Sequence, residues 1–210
     1  MKDLINHYNA WALQYDEDIN PTRDLDKKVT IESLSNIDFL EVLELGCGTG
    51  KNSEWLVTRA HRLVGLDFSK NMLERAKNKI KSDTATFIRA DLNEKWPVKD
   101  NSFDLAVINL TLEHIEDLDH IFNSLFKKLN EGGKCFVSEL HPKKQLAGSK
   151  AKFFNMGEEF LLDVFLHLEE DYVQSAERSG LILRAKKDHF DNEEDIPRLI
   201  SFLFEKPNQP

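Results

Sequence analysis

Two hydrophobic periods divide this chain. Leu4, Tyr8, Trp11 and Tyr15 recur at helical spacing, which predicts a helix over residues 3–16 with an aromatic-rich face. Asn20-Pro21 breaks it, and Thr22 or Asp24 would cap a second helix running to about Leu34. Five short runs follow in which apolar residues dominate rather than strictly alternate: 39–45, 62–67, 84–90, 103–109 and 134–140. Such runs suit strands covered on both faces. Helical patterns separate them, over 51–59, from a Ser69 cap to about Lys81, and over 117–130, where Glu131-Gly132-Gly133 forms a stop. Residues 92–101 read as a loop. Strand and helix in alternation predict an α/β fold, a parallel sheet with helices on both faces. Its ligand site is expected outside the strand C-terminal ends, where strand order reverses.

The last third changes character. Residues 143–152 are polar, and Phe160, Leu161, Val164, Phe165 and Leu168 give a helical pattern over 158–168. A further helix over 169–179 ends at Gly180. Two strand-like runs, 181–187 and 199–205, flank the acidic loop 191–195 and read as an antiparallel pair at a sheet edge.

Composition adds exclusions. At 210 residues, with 40% hydrophobic and 31% charged content, the chain fits a single globular domain. The net charge of −9 argues against DNA as a partner. Cys47 and Cys135 form no CxxC pair, so neither a disulfide framework nor a metal is expected, and the reading is a reduced, cytoplasmic protein. No apolar run reaches membrane-spanning length, and the first residues lack the apolar core of a signal peptide.

The chemistry concentrates at strand ends. Val42-Leu43-Glu44-Leu45-Gly46-Cys47-Gly48-Thr49-Gly50 reads as strand, tight turn and helix start. Its glycines permit positive φ and close approach of a ligand to the backbone. Asp67 falls 21 residues after Gly46, the spacing at which an acid binds ribose hydroxyls. Asp91 ends the third strand, where it can meet an adenine amino group or cap the next turn. A nicotinamide-dependent oxidoreductase is the competing reading. Its GxGxxG fingerprint is not met, because Lys51 stands where the third glycine belongs, and Glu44 would repel a pyrophosphate.

These segments together resemble the class I S-adenosylmethionine-dependent methyltransferases, in their small-molecule branch. The glycine segment resembles the first motif of that family, and Gly65-Leu66-Asp67-Phe68-Ser69-Lys70-Asn71-Met72-Leu73 resembles the second. Ala90-Asp91-Leu92, Phe103-Asp104-Leu105, Leu112-Glu113-His114-Ile115-Glu116-Asp117 and Gly132-Gly133-Lys134 match later motifs. Tyr8-Asn9-x-Trp11-Ala12-x-x-Tyr15-Asp16 resembles the branch's N-terminal helix.

The resemblance implies a Rossmann-like seven-stranded sheet whose last strand is antiparallel. It divides one domain, 1–210, into a helical lid (1–36), a donor-binding core (37–142), an acceptor-side insertion (143–180) and a C-terminal strand pair (181–210). It implies S-adenosyl-L-methionine as donor, with S-adenosyl-L-homocysteine as product. Glu44, Gly46, Cys47, Gly48 and Gly50 would hold the methionine moiety and Asp67 the ribose. Phe68 and Met72 lie in the second motif; Asp91 and Leu92 would meet the adenine, and Asn109 would lie near the methyl group. If the acceptor must lose a proton, His141 and His167 are the leading bases and His114 the third. Tyr8, Trp11, Tyr15, Phe153 and Phe154 would line a largely apolar acceptor cavity. After the fourth strand the chain reads Asn109-Leu110-Thr111-Leu112, not the Asn/Asp-Pro-Pro-aromatic sequence of DNA adenine methyltransferases. The expected partner is therefore a small organic acceptor, methylated on O, N, S or C by a monomer or homodimer. A donor-binding regulatory subunit without catalysis is the alternative.

Overall fold

The computed structural model describes residues 2–149, 152–155, 158–161, 164–191 and 195–208; for residues 2–3, 152–155 and 158–161 it describes the backbone alone. Two helices, α1 (Lys2–Trp11) and α2 (Pro21–Leu34), precede the sheet. Strands β1 (Glu41–Leu45), β2 (Arg62–Asp67), β3 (Ala85–Arg89), β4 (Phe103–Asn109) and β5 (Leu129–Leu140) alternate with α3 (Ser53–Leu56), α4 (Lys70–Lys79) and α5 (Leu118–Lys128). A short α6 (Pro142–Leu146), a hairpin of β6 (Lys152–Asn155) and β7 (Glu158–Leu161), α7 (Glu169–Ser179), β8 (Ile182–His189) and β9 (Leu199–Glu205) complete the order.

The seven-stranded sheet runs β3-β2-β1-β4-β5-β9-β8. The first five strands pair in parallel, and β9 is antiparallel to both neighbours. β9 therefore slots between β5 and β8, and β8 forms the edge. Strand order reverses between β1 and β4, and that is where the crevice opens.

The sheet is covered on both faces, as the uninterrupted apolar runs predict. Leu43, Leu45, Ala106, Ile108 and Val137 face α5 and α7 in one core. Alternate residues Val42, Leu63, Leu105, Val107 and Phe136 face α2 and α3 in another. A one-residue slip in any of these strands would exchange the two sets.

Several predicted elements shift. Helix α1 ends at Trp11 and gives way to turns instead of reaching Asp16. Neither Thr22 nor Asp24 caps α2; Asn20 does, its side chain accepting from Arg23 N at 3.0 Å. Only Ser53–Leu56 is helical after the glycine turn, with i→i+3 turns carrying the segment to Arg59. The polar stretch after β5 begins with α6, which His141 caps. The helix expected over 158–168 is absent. Residues 158–161 instead pair with 152–155 as a hairpin, and 164–168 is irregular. Phe153, Phe154 and Phe160 are strong strand formers, and this local preference overrides a short helical period. Among the described residues no helix is long and apolar enough to cross a membrane.

Candidate active site

Strand β1 ends at Leu45, and the chain reverses through Gly46, Gly48 and Gly50 at φ of +67°, +52° and +81°. Gly46 has the least room. A Cβ there would stand 2.1 Å from Thr111 Oγ1, so the turn and the loop after β4 touch through a bare α-carbon. Gly50 faces the other way, where its Cβ would meet Ile80 Cδ1 at 2.8 Å. Its role is to let α4 approach. The Cys47 thiol likewise packs with Leu73, Ala76, Ile80 and Phe87, while its backbone borders the crevice.

Asp67, the last residue of β2, is buried. Gly48 N donates to its Oδ2 at 2.9 Å and Ser69 N to its Oδ1 at 2.8 Å. Burial raises its carboxyl to about 6, and those two amides hold it from rising further. Ser69 also caps α4 by accepting from Met72 N at 3.2 Å, a bond worth about 1 kcal/mol. The next acid, Asp91, folds back on its own loop, accepting from Asn93 N at 2.9 Å and Asn93 Nδ2 at 3.0 Å.

Two adjoining hollows meet over the glycine turn and share Tyr15, Gly46, Gly48, Asn109 and Leu110. The larger, about 680 Å³, is bordered by Asp67, Phe68, Met72, Asp91, Leu92 and Asn93. Leu4, Tyr8, Thr111, His114 and Ile115 also border it. The smaller, about 430 Å³, is a charged cup formed by Arg23, Asp26, Glu44 and Lys51. Glu44 is buried, accepts from Ser53 Oγ, and is raised to about 8 by burial, with Asp26 and Asp67 adding to the rise. Asp26 is also raised by burial; it accepts from Asn52 Nδ2 at 3.0 Å and Asn109 Nδ2 at 2.7 Å. Arg23 lies 3.9 Å over the Tyr15 ring and donates to Tyr15 O at 2.5 Å. Arg23 Nε, Asn52 Oδ1 and Asn109 Oδ1 are buried with no hydrogen-bond partner among the described residues.

Arg23 and Asp26 escaped the sequence reading because charged residues on a helix ordinarily face solvent. A signal existed: Arg23, Asp26 and Thr30 fall on the same helical stripe as Val29 and Leu34, so polar groups sit on the buried face of α2. Asn93 is a second lining residue the motifs did not single out.

The segment 4–16 closes over the larger hollow. Ser69 Oγ donates to Asn9 Oδ1 at 2.7 Å, Asn71 Nδ2 to Asn9 O at 2.9 Å, and Thr49 Oγ1 to Asp16 Oδ1 at 2.6 Å. Lys79 pairs with Asp16 at 2.6 Å, and Arg75 donates to Leu13 O. Tyr8 packs edge-on against Phe68 with centroids 5.4 Å apart. Trp11 does not border the hollow. It stacks behind Tyr8 and Tyr15 and donates Nε1–H to Asp18 Oδ2 at 2.7 Å. Phe153 and Phe154 sit on β6, whose side chains lie outside the described residues.

Of the three histidines, the structure brings only the third-ranked to the crevice. His114, on a single 3₁₀ turn (Leu112–His114), borders the larger hollow. His141 is fully buried two strands away from β1, at the end of β5. Its Nδ1 accepts from Lys143 N at 3.1 Å, so in the neutral ring the proton sits on Nε2, between Glu169 (3.6 Å) and Asp188 (3.5 Å). That proton leaves these three side chains no imidazole lone pair for a metal ion. His167 lies under α7, with Nε2 2.7 Å from Ile115 O, and borders a separate polar groove with Asp119 and Arg178. A histidine next to a strand end is not thereby next to the crevice, because each strand adds about 4.8 Å of lateral distance.

Comparison with known proteins matches these features. The family described as a methyltransferase domain matches residues 43–137, from β1 into β5. A malonyl-[acyl-carrier protein] O-methyltransferase of Buchnera aphidicola is 36% identical over 110 residues, covering 52% of this chain and 42% of that protein. A trans-aconitate 2-methyltransferase of Rhizobium etli is 34% identical over 135 residues, covering 61% and 49%. The chain spans about half the length of the curated relatives it matches. Among solved structures, the DhpI–SAH complex superposes with a TM-score of 0.77 at 19% identity, covering 99% of this chain and 97% of that one. With the sheet order and the glycine turn already described, residues 43–137 are similar to a methyltransferase domain, and the chain has the fold of S-adenosylmethionine-dependent methyltransferases.

Proposed function

We propose that this protein transfers a methyl group from S-adenosyl-L-methionine to a small organic acceptor. The observation that carries the reading is the pairing of two unlike hollows across one glycine turn. A charged cup with Arg23, Glu44 and Asp26 adjoins a mostly apolar cleft with Asp67 at its edge. A sulfonium nucleoside has the matching halves, an amino acid zwitterion and an adenosine.

The unpartnered buried atoms fit that ligand. Arg23 would take the α-carboxylate through its guanidinium. Glu44 and Asp26 would take the ammonium, and a cation there lowers the carboxyl that burial has raised. Asp67 would accept from the ribose hydroxyls while its amide bonds fix its orientation. Phe68, Met72 and Leu92 would enclose the adenine, with Asp91 and Asn93 at its polar edge. Asn109 Oδ1, at the junction of the hollows, would face the sulfonium region.

When bound, the donor supplies an already activated methyl group on a cationic sulfur. The chain's share of the work is therefore to orient the acceptor and exclude water. The segment 4–16 would do both, with the β6–β7 hairpin, whose first strand neighbours α1, completing the cover. Calorimetry with S-adenosylhomocysteine and with NAD tests the donor half. Binding of the homocysteine product alone is expected; binding of NAD alone overturns the reading. Transfer of label from methyl-labelled donor into metabolite extract tests the acceptor half, and label confined to RNA or protein overturns it.

A further inference from the structure

The lining of the larger hollow holds two groups not assigned to the donor. Tyr8 on α1 and His114 on the turn after β4 are 106 residues apart, yet Tyr8 Oη lies 2.8 Å from His114 Nε2. Their rings meet edge to face, with centroids 5.5 Å apart. Leu4, Leu110 and Ile115 add apolar surface to the same lining. Among the described residues bordering this hollow there is no lysine or arginine.

These facts select an acceptor chemistry. A carboxylate acceptor is ionised at neutral pH, needs no base, and is best held by a cation. None of the described bordering residues supplies one. A hydroxyl on an aromatic or unsaturated carbon is uncharged at neutral pH, fits apolar walls, and becomes a strong nucleophile only as its proton leaves. The carboxylates nearby are ill placed to take that proton. Both Asp67 oxygens accept backbone amides, and Asp91 is turned onto Asn93. Glu113 Oε1 lies 3.9 Å from His114 Nε2 and its Oε2 accepts from Gln145, but Glu113 does not border the hollow. Tyr8 and Tyr15 are buried phenols that keep their own protons. Imidazole is the side chain suited to exchange a proton here.

We propose that Tyr8 and His114 form the acceptor subsite, where Tyr8 holds a phenolic or enolic hydroxyl and His114 Nε2 takes its proton during transfer. The inference rests on the donor reading above. The acceptor oxygen forms the new O–C bond with its own electron pair, sulfur keeps the pair of the broken C–S bond, and the hydroxyl proton passes to Nε2. His114 is then a catalytic residue and Tyr8 a positioning one. In the closed state the Tyr8 hydroxyl sits where the acceptor oxygen would bind, so the subsite is capped until an acceptor displaces it.

The test uses 4-nitrophenol, whose phenolate is coloured, added to the protein saturated with S-adenosylhomocysteine. Bound nitrophenol is expected to ionise about tenfold more readily than free, a shift of about one pH unit. Tyr8→Phe should weaken its binding, and His114→Gln should abolish the ionisation shift. Melting curves and homocysteine-product affinity serve as checks on the fold of both variants. 4-Nitrobenzoate, of similar size but anionic, is expected to bind at least about tenfold more weakly. Equal ionisation in the wild type and His114→Gln overturns the proposal, as does preference for nitrobenzoate or no binding of nitrophenol. In the wild type with ¹⁵N-labelled histidine, the His114 resonance should shift when nitrophenol binds, and a silent His114 also overturns the assignment. If S-adenosylhomocysteine itself fails to bind, the donor reading has failed instead.

Discussion

The floor of the crevice and its cover are held by different means. On the floor around Asp67, partners are close in sequence and one side of each bond is backbone. Gly48 N reaches Asp67 across 19 residues, Ser69 N reaches it across two, and Cys47 N donates to Leu66 O at 3.0 Å. In the cover, the partners are distant and mostly side chain to side chain: Asn9 with Ser69, Asp16 with Thr49 and Lys79, Tyr8 with His114. A backbone-built floor is set once the sheet forms. On the proposed function, a cover held by a few polar bonds would leave without disturbing either core, as a crevice that admits and releases ligands requires.

The contrast can be broken most severely at Gly46. Gly46→Ala forces a Cβ into Thr111 at positive φ, and should cost about 2–4 kcal/mol of stability. Thermal melting and calorimetry should show a lower midpoint and loss of S-adenosylhomocysteine binding. Retention of both would mean the floor is softer than its geometry. Asp67→Asn is expected to weaken that binding about 10–100-fold, because a charged acceptor is lost while the fold persists.

The pH dependence of stability sharpens the same comparison. Burial raises Asp67 to about 6, Glu113 to about 7 and Glu44 to about 8. A carboxyl raised in the folded state takes up protons on folding. Its contribution is complete below the ordinary carboxylate range and is lost as pH rises through the folded value. Melting temperature of the ligand-free protein should therefore fall between about pH 5 and pH 8.5, with Glu44→Gln flattening the upper part of the slope. An unchanged slope in that variant would remove Glu44 as the source.

On the cover the expected effect is smallest. Asp16→Ala removes the bonds to Thr49 and Lys79, a loss of about 1 kcal/mol. Product affinity should drop about fivefold, and hydrogen exchange should rise in residues 4–16 alone. Faster exchange in β1 or β2 would mean that floor and cover are one unit.

The same distinction explains what could be read from the chain. Strands buried on both faces appear as apolar runs closed by a polar residue, so Glu44, Asp67 and Asn109 were legible with their strand ends. Gly46 and Gly48 were legible because only a positive φ needs them. The bonds that hold the cover were not, because nothing local in Asn9 or Asp16 announces a partner 60 or 33 residues away. Which histidine borders the crevice was not legible for a related reason. Position along the chain located His141 at the end of β5, but the width of the sheet decides which strand ends share the crevice. Over 158–168, five apolar residues fit a helical period that the aromatic hairpin overrides.

Ser69 joins these regions through its own hydroxyl, which caps α4 and also donates to Asn9. Its amide is one of the two that aim Asp67. On the proposed function, a nucleoside resting on Asp67 leaves only after the neighbouring clasp lets go. Turnover would then be paced by egress of the spent donor, and a better-fastened clasp would make a slower enzyme, however fast the bond-making step beneath it.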